Sequence, residues 1–264
     1  MKNVLLYGGG TQSTGLLLMS LEGMFPYWKP DMAIFADTYS EPEFVMEYIF
    51  KVREYVLEKY DFLIRFTWRT GPGLAQDILQ NDGGRIASLP VYTGNGGMVR
   101  RQCTEEYKIR PVTNIIKEKD NIGRKRKGSV PVVNRIFGIS LDEIERCRES
   151  TDWWAVNKYP LVEARMKRFE VIDYINTHHP EIAGPKRSSC YFCPFHSDDY
   201  WRRLKEKHPG EFTKAIEIDE KIRRKRGLDN DCFLHRSCKP LKDIDFSKDS
   251  QLEIFGECEG YCGI

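Results

Sequence analysis

The most reactive side chains of this chain are eight cysteines, and they are unevenly distributed. The first hundred residues contain none, whereas six lie from Cys190 onward. Cys190 and Cys193 form a Cys-x-x-Cys pair, a spacing with which two thiolates bind one metal centre. Reducing compartments keep thiols free. Clustered cysteines in a chain with no apparent secretion signal therefore indicate metal binding or sulfur chemistry rather than structural disulfides.

A second chemical pattern lies near the start of the chain. The apolar run Val4–Leu6 is followed by three glycines, then by polar residues and another apolar run. This order predicts a buried strand, a tight turn and a helix N-terminus, whose backbone N–H groups suit a phosphate. The spacing matches neither the Walker A loop nor the dinucleotide fingerprint. The alternative is a glycine-rich turn without a ligand.

Four strand-like runs separated by helical patterns must position these residues. The runs are Asn3–Leu6, Met32–Ala36, Leu63–Thr67 and Arg135–Ile139, and Glu43–Glu58 has the pattern of a crossover helix. Such alternation predicts an α/β fold with a doubly wound, mostly parallel sheet. Ligands of such sheets bind at the carboxyl ends of the strands. Helical patterns also cover Asp198–Lys207 and Phe212–Arg226.

The residue composition of the chain changes near residue 185. We therefore expect a nucleotide-binding domain over 1–185 and a Cys-rich C-terminal region over 186–264. Gly83–Gly97 is rich in Gly, Pro and Asn and is predicted to be a mobile loop. His178-His179-Pro180 is interpreted as a helix stop rather than a ligand pair.

Composition is that of an ordinary globular protein, with 41% hydrophobic and 30% charged residues. No apolar run approaches the ~20 residues of a membrane span, so no membrane partner and a cytoplasmic location are expected. The formal net charge is +2, which does not by itself indicate nucleic acid. Two local basic runs, 124–127 and 223–226, are interpreted as solvated charge, with nucleic acid left as an open alternative.

Several segments together resemble the PAPS reductase-like family of the PP-loop ATP pyrophosphatase superfamily, also called adenine nucleotide alpha hydrolase-like. The glycine loop is similar to the family's Ser-Gly-Gly-x-x-Ser loop. Collinear matches extend over roughly the first 195 residues; they are residues 35–43 (Phe-Ala-Asp-Thr…Glu-Pro-Glu), 103–111 (Cys…Lys…Pro), 138–146 (Gly-Ile-Ser…Glu…Arg) and 159–175 (Pro-Leu…Val…Tyr-Ile). The resemblance implies a Rossmann-like sheet that binds an adenine nucleotide, either ATP or PAPS.

The chain departs from the family pattern at three places. Gly8 replaces a serine, Thr11 and Gln12 stand where Lys or Asp is usual, and Gln102 stands where iron–sulfur reductases have a second cysteine. A closer resemblance is to PAPS-reductase-like proteins of bacteriophages, which share the Cys-x-x-Cys-Pro-Phe-His-Ser segment and a Cys-rich tail.

The resemblance and the predicted sheet edge together give the candidate nucleotide-binding residues. They are Tyr7, Gly8, Gly9, Gly10, Thr11, Gln12, Ser13, Thr14, Ala36, Asp37, Thr38, Gly138, Ser140, Arg101 and Lys108. Exposed charge is the alternative interpretation for the two cations.

For the metal, the resemblance implies a [4Fe–4S] cluster bound by Cys103, Cys190 and Cys193, with Cys258 or Cys262 as fourth ligand. Zinc bound by the same thiolates is the alternative, and His196 is a further zinc ligand candidate. Cys147, within a helical pattern, is interpreted as a structural residue.

The tail allows a second interpretation. Tyr261-Cys262-Gly263-Ile264 resembles a truncated form of the tail that carries the nucleophilic cysteine of sulfonucleotide reductases. Cys262 is then the catalytic nucleophile and Cys258 a resolving thiol, regenerated by thiol exchange.

Three functions follow from these features. The first is a PAPS reductase-like enzyme, with an electron or sulfur donor protein as partner. The second is an ATP-dependent adenylating sulfurtransferase that acts on a nucleic acid base or another acceptor. The third is a nucleotide-binding module without catalysis.

Overall fold

A computed structural model describes residues 1–80, 89–184, 188–223 and 231–246. The chain divides into two compact units that interleave along the sequence. The first unit comprises Met1–Asp37, Glu43–Trp68 and Pro111–Ser188, and the second comprises Thr38–Pro42, Arg69–Arg110 and Ser189–Ile264. The change in residue composition near residue 185 thus precedes only the last segment of the second unit. The two earlier segments of that unit were not recognised from composition.

The first unit contains a five-stranded sheet in which every pairing is parallel. Its strands are β1 (Lys2–Leu6), β2 (Met32–Ala36), β3 (Ile64–Thr67), β5 (Val133–Phe137) and β6 (Ala155–Lys158), in the order β3-β2-β1-β5-β6. The chain builds outward from β1 in one direction and returns to add β5 on its other side. The carboxyl end of β1 is therefore the topological switch point, where open α/β sheets bind their ligands.

Helices cover both faces of this sheet. They are α1 (Thr11–Leu21), α2 (Glu43–Tyr60), α4 (Arg110–Lys119, whose first residue belongs to the second unit), α5 (Pro160–Glu163) and α6 (Arg168–His178). Neighbouring residues of β1 show the two-sided burial, because Leu5 packs in a cluster with α1, α2 and α6, whereas Val4 packs in another with α4 and Trp154. The predicted doubly wound α/β fold is confirmed.

The second unit is smaller in regular structure. It contains α3 (Leu74–Gln80), α7 (Asp198–Lys207), α8 (Pro209–Ile222) and an antiparallel pair of β4 (Tyr92–Thr93) with β7 (Cys232–Phe233). A π-helical stretch, Glu105–Ile109, precedes α4. Short 3-10 helices occur at Pro26–Trp28, Leu141–Arg146, Pro180–Ile182 and Leu241–Asp243. Among the described residues, no helix is long and apolar enough to cross a membrane.

Most predicted elements agree with the structure to within a few residues. The helix stop at His178 is confirmed, since α6 ends there. The helical pattern before Cys147 corresponds to a 3-10 helix, Leu141–Arg146, which is interrupted at Glu143 (φ −118°, ψ 22°). The interpretation of Cys147 as a helix residue is wrong, because it follows that helix in extended backbone. Residues 83–88 of the predicted loop lie outside the described residues, and the remainder contains β4.

Candidate functional site

The glycine loop lies wholly in the first unit, between β1 and α1. Gly9 has a φ of +74°, and a Cβ there would lie 2.6 Å from Ile49 Cδ1, so only glycine fits without rearrangement. Gly10 is the N-cap of α1 in extended backbone and, as a glycine, has no side chain that could cap the helix. The loop therefore offers backbone N–H groups at the positive end of the α1 dipole, as a phosphate site requires.

The loop hydroxyls have partners within the unit. Thr14 Oγ1 lies 2.9 Å from Tyr7 Oη in the core, where burial raises the pKa of that phenol. Ser13 Oγ donates to the carbonyl of Gly10 at 3.0 Å. Gly8, in contrast, is exposed, and the nearest atom to a Cβ there would be Ser13 Oγ at 3.8 Å. A serine or a larger side chain would thus fit at position 8.

Gln12 extends from α1 toward the segment that follows β5. Its Nε2 donates to Ser140 Oγ at 2.9 Å and to Glu143 Oε2 at 2.8 Å. The same Glu143 oxygen accepts from Arg146 Nη1 at 2.7 Å. Burial raises the pKa of Glu143, and the Arg146 charge and the Gln12 bond oppose that rise. Glu143 lies within a matched sequence segment but was not predicted as a site residue.

Gly138 explains how this segment reaches the loop. A Cβ at that position would lie 2.7 Å from both the Cα and the N of Ser13. The end of β5 therefore packs directly on the backbone of the α1 start. Ala36 and Asp37 are also predicted to bind nucleotide. Ala36 is the last residue of β2, and Asp37, which follows it in the same unit, donates its N–H to Thr67 O at 2.8 Å.

The second unit contains the other predicted site residues, which are Thr38, Arg101, Lys108, Cys103, Cys190 and Cys193. Four side chains there are linked by hydrogen bonds and an ion pair. Thr38 Oγ1 donates to Glu41 Oε2 at 2.7 Å and lies 3.4 Å from Cys190 Sγ. Lys108 Nζ lies 3.2 Å from the other Glu41 oxygen. Because the single hydroxyl proton of Thr38 serves the carboxylate, Cys190 is the donor toward Thr38.

The environment of Cys190 favours the protonated thiol. Burial raises the pKa of Cys190, the Glu41 carboxylate raises it further, and Lys108 opposes both effects. A metal ligand or nucleophile must be a thiolate. Glu41, whose side chain is 0% exposed, is the nearest base along this chain of hydrogen bonds. The sequence signal for it was the motif at 41–43, which identified the segment without indicating this role.

The predicted ligands of the metal cluster lie partly within the described residues. No group of three or more His, Cys, Asp or Glu side chains there is placed to hold a metal. A turn joins Cys193 N to Cys190 O at 3.0 Å, and His196 Nε2 donates to that same carbonyl at 2.8 Å. Cys258 and Cys262 lie outside the described residues. The iron–sulfur and zinc assignments stay predictions, and we assign no chemical step to a metal.

Several further residues with reactive or charged side chains, and one tryptophan, have ordinary structural places. Trp154 is buried in the core of the first unit, and Cys232 is buried in β7. Cys147 is half-buried, and burial raises the pKa of its thiol. The basic run 124–127 is exposed, whereas Arg223, of the second run, pairs with Asp219 and residues 224–226 lie outside the described residues.

Comparison with solved structures shows a similarity to a reductase. The crystal structure of phosphoadenylyl-sulfate (PAPS) reductase from Candida auris, in complex with phosphate, is 16% identical in sequence and has a TM-score of 0.44. The match covers 71% of this chain and 76% of that one. No family model matches the chain, and no curated protein matches it.

Proposed function

We propose that this protein is an adenine-nucleotide-binding enzyme of sulfur chemistry, of the sulfonucleotide reductase type. One observation carries the proposal: the loop Gly8–Gly10 presents backbone at the α1 N-terminus, at the switch point of a parallel sheet. That position and geometry suit nucleotide phosphates. The collinear motif resemblance over roughly the first 195 residues supports the choice of adenine nucleotide and of sulfur chemistry.

The proposed reaction uses the tail thiols predicted from the sequence. The Cys262 thiolate attacks the sulfur of a sulfonucleotide, an S–S bond forms, and the S–O bond to the nucleotide phosphate breaks. The Cys258 thiolate then attacks the Cys262 sulfur, which forms a disulfide and releases sulfite. A dithiol donor protein reduces that disulfide by exchange and is itself oxidised. Two electrons thus pass from the donor to the sulfonucleotide sulfur.

Anaerobically purified protein tests the proposal directly. We expect PAPS to yield sulfite and adenosine 3′,5′-bisphosphate when a dithiol is supplied. Pyrophosphate release from ATP would instead favour the sulfurtransferase, and tight binding without turnover would favour the module. Absence of nucleotide binding would overturn all three. The presence of the cluster is tested by measuring iron and sulfide in Cys190→Ser and in the structural control Cys147→Ser. Loss of iron and sulfide in Cys190→Ser alone supports the cluster.

A matched pair of loop variants tests where the nucleotide binds. Gly8→Asp and Gly8→Asn add side chains of nearly equal size at an exposed position with room for a Cβ. The aspartate places a negative charge beside the phosphates. We expect it to weaken binding about tenfold relative to Gly8→Asn, which corresponds to about 1.4 kcal/mol. Calorimetric titration measures both, and equal affinities would place the phosphates elsewhere.

A further inference from the structure

A loop of the second unit places a serine, a histidine and an aspartate in one line of hydrogen bonds. His235 Nε2 lies 2.9 Å from Asp198 Oδ1, and His235 Nδ1 lies 2.8 Å from Ser237 Oγ. His235 is 4% exposed, whereas Ser237 is exposed to solvent. A buried imidazole thus lies between a carboxylate and an accessible hydroxyl, which is the order of groups that activates a serine nucleophile.

The hydrogen bonds assign the tautomer of this histidine. The backbone N–H of Ser237 donates to His235 Nδ1 at 3.2 Å, so that nitrogen carries no proton in the neutral ring. The ring proton therefore lies on Nε2 and is donated to Asp198 Oδ1. Because Nδ1 is an acceptor, the Ser237 hydroxyl is the donor in the 2.8 Å contact. His235 is thus placed to take up the serine proton.

The surroundings of the imidazole suit a general base. Burial lowers the pKa of His235 and the Arg236 charge lowers it further, whereas Asp198 and Asp219, on α8, oppose this effect. A base must be unprotonated to act, and a lowered histidine pKa keeps it so near pH 7. Asp198 lies in the first turn of α7, and its other oxygen is 3.0 Å from Arg236 Nη2. Its carboxylate can stabilise the imidazolium that forms when His235 accepts a proton.

One buried carboxylate holds both ends of the loop. Asp219 is 1% exposed, and it accepts from Leu234 N at 2.9 Å and from Leu241 N at 3.0 Å. Within the loop, Cys238 N donates to His235 O at 3.1 Å. The backbone on both sides of the serine and the histidine is therefore fixed, which reduces the reorganisation that proton transfer requires.

We propose that Ser237 is a nucleophile for acyl transfer, with His235 as its general base, Asp198 as the residue that orients the base, and an activated carboxylic ester as substrate. Ser237 Oγ bonds to the carbonyl carbon, the bond to the leaving alcohol breaks, and the serine proton passes through His235 Nδ1 to that alcohol. Water then hydrolyses the acyl-serine with the same base, which restores the hydroxyl and releases the acid. This activity uses no residue of the proposed nucleotide site.

Labelling of the full chain with a fluorophosphonate tests the nucleophile directly. The probe forms a phosphorus–oxygen bond to an activated serine and loses fluoride. We expect an adduct on Ser237, located by peptide mass spectrometry and absent in Ser237→Ala. Ser129→Ala is the matched control and should keep the adduct, since Ser129 Oγ accepts from Arg126 N at 2.8 Å rather than bonding a histidine. Absence of the adduct from Ser237, or equal labelling of Ser129, would overturn the proposal.

Variants of the two supporting residues separate activation from simple exposure. We expect His235→Gln to slow labelling of Ser237 by about a hundredfold or more, because the base is lost. Asp198→Asn should slow it by at least about tenfold, because the tautomer is no longer fixed. Unchanged labelling rates in folded variants would show that Ser237 is not activated by this arrangement.

The pH dependence of the wild type gives a readout that does not require either variant to fold. The labelling rate should be level above pH 7 and decrease below about 6.5, where His235 takes up a proton. A serine without a base would instead react faster with every pH unit, and that profile would overturn the proposal.

Turnover is measured with 4-nitrophenyl acetate. Since cysteine thiolates also react with this ester, the steady-state rate of the wild type is compared with that of Ser237→Ala. We expect at least tenfold slower hydrolysis in the variant, and equal rates would overturn acyl transfer at Ser237.

Discussion

The two units each bury a glutamate in a polar network, but they hold it by different means. Glu143 in the first unit accepts from Gln12 and Arg146 in a segment whose backbone packs on Ser13. Glu41 in the second unit is held by side chains, with Thr38 on one oxygen and Lys108 beside the other. Both networks bury a carboxylate, and the first lies beside the close backbone contact of Gly138 with Ser13.

The difference is reflected in the surroundings of each carboxylate. Next to the glycine loop, the Glu143 carboxylate accepts from Gln12 and Arg146, and burial raises its pKa. Next to Cys190, the Glu41 carboxylate, linked through Thr38, adds to burial in raising the pKa of the thiol. The same residue type thus lies beside the glycine loop in one unit and beside a buried thiol in the other.

The largest expected effect comes from the backbone contact of the first network. Gly138→Ala places a Cβ 2.7 Å from Ser13 backbone atoms, so strand β5 or helix α1 must move. We expect a loss of about 3 kcal/mol in the free energy of unfolding. Urea denaturation measures it. Gly8→Ala is the control, with an expected change within about 0.5 kcal/mol because its Cβ has room; similar losses in both would contradict this account.

A smaller loss is expected from the side chains of the second network. Glu41→Ala leaves the Thr38 hydroxyl and the Lys108 ammonium without their carboxylate. We expect about 2 kcal/mol of destabilisation, since Lys108 is partly exposed and regains water. Glu41→Gln keeps an acceptor for Thr38 and should cost less. If Glu41→Ala unfolds at the same urea concentration as the wild type, the network contributes nothing to stability.

The smallest expected effect is on the stability at acidic pH, for which the two units should behave alike. His235 in the second unit is 4% exposed, and burial lowers its pKa despite a 2.9 Å contact with Asp198. His179 in the first unit is also buried with a lowered pKa. The unfolded chain therefore takes up protons that the folded chain does not, once the pH falls below about 6.5.

Stability is accordingly expected to be present above that pH and to decrease below it, by up to about 1.4 kcal/mol per pH unit for one histidine. Unfolding by urea between pH 8 and pH 5 measures the slope, and His235→Gln should flatten it. A pH-independent difference between that variant and the wild type would show that His235 does not carry this dependence.

Sequence patterns predicted local structure well where one periodicity dominated. Met32–Ala36 and Asp198–Lys207 were predicted with the observed bounds, because a fully buried apolar run and an N-cap serine are local signals. The strand Ala155–Lys158 was missed, since only its first residue is buried and alternation is weak. The helical pattern around Cys147 did not indicate where the helix ends, and Glu143, within the 3-10 helix, bonds Gln12, a residue 131 positions away.

What the sequence determined by itself is the chemistry available: the glycine run that needs a positive φ, the parallel α/β order and the supply of thiols. Those properties depend on residue type and short spacing. Only the tertiary structure decided which carboxylate meets which partner, because Glu143 reaches Gln12 through the packing of Gly138 on Ser13. Likewise, burial and the Glu41 carboxylate raise the pKa of Cys190, and Glu41 lies some 150 positions earlier in the chain.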